Sequence, residues 1–303
     1  MRARRVQGIG GIVCCLLAAW LLVCPHVRAQ PPPVVTALIS QEIRPYLLAV
    51  EGLEASLPYP VRRVYLDGPQ GRTLRAVEEA VRAGAVCVAV GPESVRMVEQ
   101  TADPPPVVAV MVLDLPAGPG GSCGVSLRIP LETQAGLLRE TFPGLRRLGV
   151  LFDPGSDPSW FDRCRAASAA GPVEVVPLPV HGSRGPSRLF EGPGPDVDAL
   201  LFVPDPAVVS KTVIRYVITQ CVVRKILPVG YNSFFHEAGA GASFVLDYRR
   251  AGEAAASLVD HRLRGRPCPP VTPPFRLWVK KKTVQAVGME LGEPVPSCVE
   301  ERP

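Results

Sequence analysis

VDALLFVPDP (Val197–Pro206) and ILPVGYN (Ile226–Asn232) are two short apolar runs, and the segment between them, Val208–Lys225, has helical character. The pattern predicts a strand, a crossover helix and a second strand. Strands joined in this way run parallel, and the crossover is right-handed in nearly all proteins. Asp205 and the Tyr231–Asn232 pair are therefore expected at the same edge of the sheet, where open α/β sheets bind their ligands.

The same alternation of strand and helix precedes this stretch. Four earlier apolar runs predict strands at Val34–Ile39, Val61–Leu66, Ala85–Val90 and Pro106–Leu113. Residues 115–124 interrupt the pattern with proline and glycine, and a second series begins at Leu148–Phe152. Alternating strands and helices indicate parallel sheets with helices on both faces. We therefore expect an α/β protein built from two doubly wound units, the second covering roughly residues 128–245.

The N-terminus has the three parts of a secretory signal peptide. Three arginines lie within the first five residues, an uncharged apolar run follows at Ile9–Val23, and Val27–Ala29 offers a cleavage site. We expect residues 1–29 to be removed and the protein to be periplasmic or otherwise exported. A membrane anchor is one alternative, although the run is short for a span. Lipid attachment at Cys24 is another, although Val23 is bulky for that cleavage.

The basic pI of about 8.8 comes largely from this N-terminal segment. Loss of its four arginines reduces the 33 basic residues to 29, against 28 acidic ones, which leaves a net charge of +1. Nucleic-acid binding requires a concentrated basic face, so no nucleic-acid partner is expected.

Six cysteines remain beyond the signal segment. Cys87 falls in an apolar strand and Cys221 in a helix, where core packing is the expected role. An exported protein can form disulfides, and we expect a pair between Cys268 and Cys298 in the proline-rich end of the chain. The sequence has no CxxC and no cysteine–histidine cluster, so neither a zinc site nor another cofactor is expected.

The sequence also gives little support to an enzyme. It has no Walker A motif, no HExxH and no GxGxxG after a strand. Asp153, Asp205 and Asp247 are possible acids or bases, but no nucleophile is visibly paired with them. We therefore expect a binding protein and no catalytic residues.

Six segments, taken in order, resemble those of one known family. They are PPVVAVMVLD (105–114), CGVSLRIPLETQAGLLRETFPGLRRLGVLFDPGS (123–156), VDALLFVPDPAVVS (197–210), ILPVGYNSFFHEAGAGASFVLDY (226–248), RRAGEAAASLVDHRLRG (249–265) and PPFRLWVKKKTVQAVGMEL (273–291). Over about residues 34–291 the chain is similar to the exported substrate-binding proteins of ABC transporters, in the subgroup that includes tryptophan- and phenylalanine-binding members.

The resemblance implies a type I periplasmic-binding-protein fold, with two Rossmann-like lobes joined by three crossings. Lobe one would take residues 34–127 and 246–268, and lobe two residues 128–245 and 270–292, followed by a loose tail at 293–303. The implied function is to trap a small molecule between the lobes and deliver it to an ABC permease of the inner membrane. The alternative is a sensory module that reports its ligand to a membrane receptor or histidine kinase. In either role the protein would be a monomer.

A cleft between two such lobes would be lined by the polar residues at strand ends. In lobe one these are Ser40, Gly91, Glu93, Ser94 and Asp114; in lobe two they are Asp153, Ser156, Asp205, Tyr231 and Asn232, with Asp247 near a crossing. Simpler roles stay open for some of them. Ser94 is alternatively a helix cap, Asp153 and Asp205 are alternatively turn formers before proline, and Tyr231 is alternatively a core residue. Glu93 and Pro206 depart from the pattern of the amino-acid binders, so the resemblance leaves the ligand undefined.

Overall fold

The structure is a computed structural model that describes residues 33–66, 78–79, 82–83, 86–101, 106–116, 123–182, 185–205, 210–269 and 271–303. The predicted signal peptide, residues 1–29, lies outside the described residues. Residues 117–122 of the proline- and glycine-rich interruption also lie outside them.

The first sheet consists of parallel strands from the first part of the chain. They are β1 (Val35–Ile39), β2 (Val61–Tyr65), β3 (Val86–Val90), β4 (Val107–Val112) and β5 (Gly124–Ser126). Their order across the sheet is β2-β1-β3-β4-β5. Every residue of β1 and β3 is buried, because central strands of such sheets are covered on both faces.

The second sheet takes its strands from the remainder of the chain. They are β6 (Arg147–Phe152), β7 (Glu174–Pro179), β8 (Ala199–Phe202), β9 (Leu227–Gly230), β10 (Ala242–Leu246), β11 (Phe275–Val279) and β12 (Val299–Glu301). They lie in the order β12-β11-β10-β9-β8-β6-β7, and all neighbours are parallel except β10 and β11. The predicted α/β architecture with two parallel-sheet lobes is confirmed.

Helices connect the strands of both sheets. In chain order they are α1 (Arg44–Ser56), α2 (Pro92–Glu99), α3 (Leu131–Thr141), α4 (Trp160–Ala170), α5 (Gly185–Arg188), α6 (Lys211–Val223), α7 (Ser233–Glu237), α8 (Tyr248–Leu263) and α9 (Lys281–Val287). Helix α8 follows a strand of the second sheet, yet its apolar face packs on the first sheet with α1. The chain thus returns to the first lobe before it ends in the second.

Helices α1 and α8 approach each other at two glycines. A Cβ added to Gly252 would fall on the carbonyl oxygen of Ala49, and one added to Gly52 would fall on that of Arg249. Backbone of one helix therefore lies directly against backbone of the other, which glycine permits because it has no Cβ.

The chain crosses between the sheets after β5, after β10 and after α8. Backbone hydrogen bonds connect these crossings: Asp247 N donates to Pro274 O (2.9 Å), and Val271 N donates to Gly124 O (3.0 Å). The third crossing therefore runs beside both of the others.

The expected Cys268–Cys298 disulfide is wrong: Cys268 is bonded to Cys123, with their Cα atoms 5.1 Å apart. The third crossing runs along β5, which brings Cys268 to the residue before that strand. Cys298 instead carries a free thiol beside β11, where its carbonyl accepts from Leu277 N (2.9 Å).

The expectation of a loose tail at residues 293–303 is also wrong for its last part. Strand β12 pairs in parallel with β11, and the guanidinium of Arg302 lies over the ring of Trp278, 4.8 Å from its centroid. Edge strands expose unpaired backbone groups, and β12 supplies partners for those of β11. No helix among the described residues has the length and apolar character needed to cross a membrane.

Candidate functional site

A cavity of about 150 Å³ lies at the carboxyl ends of strands from both sheets. Leu113 follows β4, Val203 and Pro204 follow β8, and the Tyr231–Asn232 pair follows β9. Residues of the first crossing, of α3, α4 and β10, and of the start of α8 complete the wall. The cavity therefore lies where the two lobes and two of their connections meet.

Most of the cavity wall is apolar. Trp160, Phe202 and Phe244 are each less than about 5% exposed and contribute aromatic surface. The other apolar lining residues are aliphatic: Leu113, Leu127, Ile129, Val203, Pro204 and Leu246. Such a wall favours a ligand with an apolar body, since burying apolar surface is the main source of binding free energy here.

Five lining residues carry polar side chains: Arg128, Gln134, Tyr231, Asn232 and Tyr248. Burial raises the pKa of Tyr231, with a smaller contribution from Asp205, and burial alone raises that of Tyr248. Both phenols are therefore neutral near pH 7 and available as hydrogen-bond donors. The Oδ1 of Asn232 accepts from Phe234 N (3.0 Å) and caps α7.

Arg128, in the first crossing, is the cation of the cavity wall. Its Nε and Nη2 donate to the two carboxylate oxygens of Asp114, at 3.1 and 2.9 Å. Its guanidinium also lies over the ring of Trp160, 5.2 Å from the centroid. Its Nη1 is buried and has no hydrogen-bond partner in the structure. Arg128 thus combines a fixed orientation with an unused charged donor.

Asp114 and Asp157 balance the charge of two arginines around Trp160. Arg163 lies 5.1 Å from the Trp160 centroid, and its Nη2 is 3.8 Å from a carboxylate oxygen of each aspartate. The hydrogen bonds from Arg128 lower the pKa of Asp114, so this carboxylate stays charged well into the acid range. The four groups form a compact, charge-balanced cluster.

A bulge at the end of β4 places Leu113 and Asp114. Met111 has a φ of 62°, and the pairing register shifts between Val110 and Val112. A positive φ is strained for a side chain such as methionine. A hydrogen bond from β5, just before the first crossing, holds the bulge in place: Ser126 Oγ donates to Leu113 O (2.7 Å).

Ser40, Gly91 and Ser94 form a second polar cluster, at the ends of β1 and β3. Ser40 Oγ accepts from Ser94 N (2.9 Å) and donates to Ser94 Oγ, which in turn donates to Gly91 O (2.8 Å). Gly91 has a φ of 94° and is the N-cap residue of α2, so the cap is not Ser94. Among the residues described, this cluster is not part of the cavity wall. Glu93 is partly exposed and pairs with Arg96 (3.0 Å).

The aspartates at the ends of lobe-two strands bond mainly to backbone. Asp205, 3% exposed, accepts from Asp153 N (3.0 Å) and so joins the ends of β6 and β8. Asp153 accepts from Gly182 N and Gly155 N, which together lower its pKa. Ser156 is exposed in the same turn.

Asp247 caps α8, because its Oδ1 accepts from Arg250 N (3.0 Å). Of the eleven residues predicted for the cleft, the cavity wall contains Tyr231 and Asn232, and Asp114 contacts it through Arg128. Whether the others contact a ligand stays a prediction.

Arg128 was missed by the sequence analysis. One signal for it was available: it is a charged residue in the short segment that joins the two predicted units. Within the described ranges, no group of three histidine, cysteine or acidic residues is arranged to hold a metal ion.

No protein-family model and no curated protein matches the chain. Several solved structures do match the chain. A substrate-binding protein with adhesive properties from Clostridium difficile, in a ligand-free, open structure, is 16% identical with a TM-score of 0.64; the match covers 90% of this chain and 99% of that one. A conserved domain protein from Vibrio cholerae is 20% identical with a TM-score of 0.57, covering 90% and 99%.

A third similar structure is an ABC domain from Streptococcus pneumonia in complex with L-tryptophan. It is 20% identical with a TM-score of 0.56, and the match covers 89% of this chain and 99% of that one. At such identities the likeness is one of fold. It agrees with the two parallel-sheet lobes and identifies the fold as that of type I periplasmic binding proteins.

Proposed function

We propose that this protein is an exported solute-binding protein that traps a small molecule between its lobes and delivers it to an ABC permease. The observation that carries the proposal is the cavity itself. Its wall combines the ends of β4, β8 and β9 with residues of the crossings. A ligand bound there contacts both lobes, so its binding free energy favours the closed arrangement.

The crossings are suited to act as a hinge. Leu127, Arg128 and Leu246 line the cavity and belong to, or directly adjoin, the crossing segments. Rotation of one lobe against the other changes the backbone dihedrals of these segments first, so ligand contact and hinge angle are coupled. The proposal takes hinge closure from the resemblance to the tryptophan- and phenylalanine-binding subgroup. It does not take the ligand of this protein from that subgroup.

Two features support the proposed export of the protein. The N-terminal segment has the signal-peptide pattern, with cleavage after Ala29. The Cys123–Cys268 disulfide is of the kind that persists in an oxidising compartment such as the periplasm. Mass spectrometry of the protein purified from its own cells tests both features: a mature N-terminus at Gln30 and a mass lowered by one disulfide are expected.

Ligand binding is tested by a thermal-shift screen of amino acids, organic acids, sugars and nucleobases. A ligand present at roughly 100 times its Kd stabilises the native state by about 2.7 kcal/mol. At roughly 2–4 °C per kcal/mol, Tm rises by about 5–10 °C. A broad screen in which no compound shifts Tm would refute the proposal.

Two tyrosine variants localise the binding. Tyr231→Ala removes a side chain from the cavity wall and is expected to weaken binding of a screening hit at least about tenfold. Tyr216→Ala, on partly exposed α6, is the matched control and is expected to bind normally. Equal affinities of the two variants would place the ligand elsewhere.

Delivery to a permease is tested by purifying the ligand-bound protein with its membrane partners. Recovery of a permease and its ATPase is the expected result. Recovery of a histidine kinase or receptor in their place would favour the sensory alternative.

A further inference from the structure

The unused donor on Arg128 limits what the cavity can bind. A buried guanidinium N–H without an acceptor is costly, because it loses its hydration and gains no hydrogen bond. Asp114 holds two other nitrogens of the same group, so Arg128 cannot turn Nη1 towards that carboxylate without breaking a bidentate pair. A molecule bound in the cavity can supply the missing acceptor.

The remaining polar groups of the wall also favour an acceptor on the ligand. Tyr231 and Tyr248 present phenols that can donate, and the side-chain oxygen of Asn232 is already bonded to Phe234 N; Gln134, also in the wall, has an amide that can donate as well as accept. In the part of the chain that the structure describes, the lining includes no carboxylate. An ammonium group placed in this cavity would lack the anionic partner that a buried cation requires.

The volume of the cavity limits the size of the apolar part of the ligand. A cavity of about 150 Å³ with apolar walls is large enough to admit benzene, and the present one has the same volume. Its aromatic wall is formed by Trp160, Phe202 and Phe244, all nearly fully buried. A branched aliphatic chain or a single ring fits this space.

We propose, on the basis of the solute-binding function above, that the cavity takes a small apolar monocarboxylate that lacks an α-ammonium group. One carboxylate oxygen accepts from Arg128 Nη1, and the hydrocarbon body lies against the aromatic wall. Hydrogen bonds between ions are about twice as strong as neutral ones, so the carboxylate is preferred over an amide. The Arg128–Asp114 pair fixes the donor before the ligand arrives.

Isothermal titration calorimetry with four matched compounds tests the chemistry in the unaltered protein. Isovalerate has the carboxylate alone, valine adds an ammonium to the same skeleton, isovaleramide has a neutral acceptor, and isoamylamine has only a cation. We expect isovalerate to bind at least about tenfold more tightly than each of the other three, the difference expected for one charged hydrogen bond.

A pair of arginine variants tests the assigned residue. Arg128→Gln is expected to weaken isovalerate binding by about 10- to 100-fold. Arg163→Gln is the matched control, because Arg163 contacts the same tryptophan and the same two aspartates but is not part of the cavity wall. Its isovalerate affinity is expected to stay within about threefold of the unaltered protein. Should Arg128→Gln not fold, the four-compound comparison still decides the chemistry.

The outcomes separate this inference from the proposed function. Valine binding as tightly as isovalerate would overturn the monocarboxylate assignment and leave the solute-binding function standing. If none of the four compounds bound and another class of solute raised Tm in the thermal-shift screen, the monocarboxylate assignment would also be overturned and the solute-binding function would stand. Equal weakening of isovalerate by the two arginine variants would overturn the role of Arg128.

Discussion

The contact between α1 and α8 gives a stability prediction that the structure makes quantitative. In Gly252→Ala, the new Cβ meets backbone of α1: it lies 2.7 Å from the carbonyl carbon of Ala49 and 2.9 Å from Leu53 N, and on the carbonyl oxygen itself. Ordinary contacts of this kind are about 3.5–4.0 Å, so the helices must separate by about 1–2 Å.

The expected cost follows from two opposed effects. Overpacking costs about 1–3 kcal/mol, and the upper value applies because the obstacle is backbone and cannot rotate away. Alanine offsets about 1 kcal/mol of this through its better helix propensity. The net loss is about 2 kcal/mol, which lowers Tm by about 4–8 °C.

Gly136→Ala is the matched control for this measurement. Gly136 lies within α3, and a Cβ added there would meet nothing within 4 Å. The same substitution is therefore expected to raise stability by up to about 1 kcal/mol. Both proteins are followed by circular dichroism during thermal and urea unfolding. If Gly252→Ala were as stable as Gly136→Ala, the close approach of α1 and α8 would be refuted.

Three further predictions concern other parts of the molecule. Cys268→Ser removes the disulfide and is expected to cost about 2–5 kcal/mol in urea unfolding, whereas Cys298→Ser, at a free thiol, should change little; equal effects would contradict the pairing. Ser40→Ala leaves the buried Ser94 N–H without its acceptor and is expected to cost about 1–3 kcal/mol; an unchanged urea midpoint would refute this role. Burial lowers the pKa of His236; the hydrogen bond with Pro303 O opposes this and the charges of Lys280 and Arg302 reinforce it, and the net effect is a lowered pKa. The unfolded chain then takes up a proton below about pH 6.5 while the folded protein stays neutral, so stability falls as the pH drops from there towards the lowered pKa. Melting curves between about pH 8 and about pH 5 should show a steeper loss for the unaltered protein than for His236→Phe; parallel losses would contradict the assignment.

The two-lobe architecture was predictable because it depends on short-range patterns. Apolar runs such as Val86–Val90 are wholly buried in the structure, and their alternation with helices forces a parallel arrangement. The position of Tyr231 and Asn232 directly after β9 follows from the same pattern. For this reason the sequence located part of the cavity wall without any knowledge of the three-dimensional structure.

The features that were missed depend on contacts between distant parts of the chain. The disulfide joins residues 145 positions apart, and no local pattern distinguishes Cys123 from the other cysteines. Arg128 matters because a bulge brings Asp114 next to it and α4 brings Trp160. Asp153 and Asp205 carry the residue types of a binding site, but the backbone N–H groups near them are satisfied by these carboxylates, which composition alone does not reveal.

The return of α8 to the first lobe also determines the order in which the two lobes can be completed. The chain is synthesised from its N-terminus, so β6 to β10 of the second lobe are made before α8. Until residue 263 is available, the surface of α1 formed by Ala49, Gly52 and Leu53, which is buried in the finished protein, has no helix to cover it. The first lobe therefore begins first but is completed only after β6 to β10 have been made, and the second lobe in turn waits for β11 and β12. A chain that ends before α8 therefore leaves this apolar surface of the first lobe uncovered.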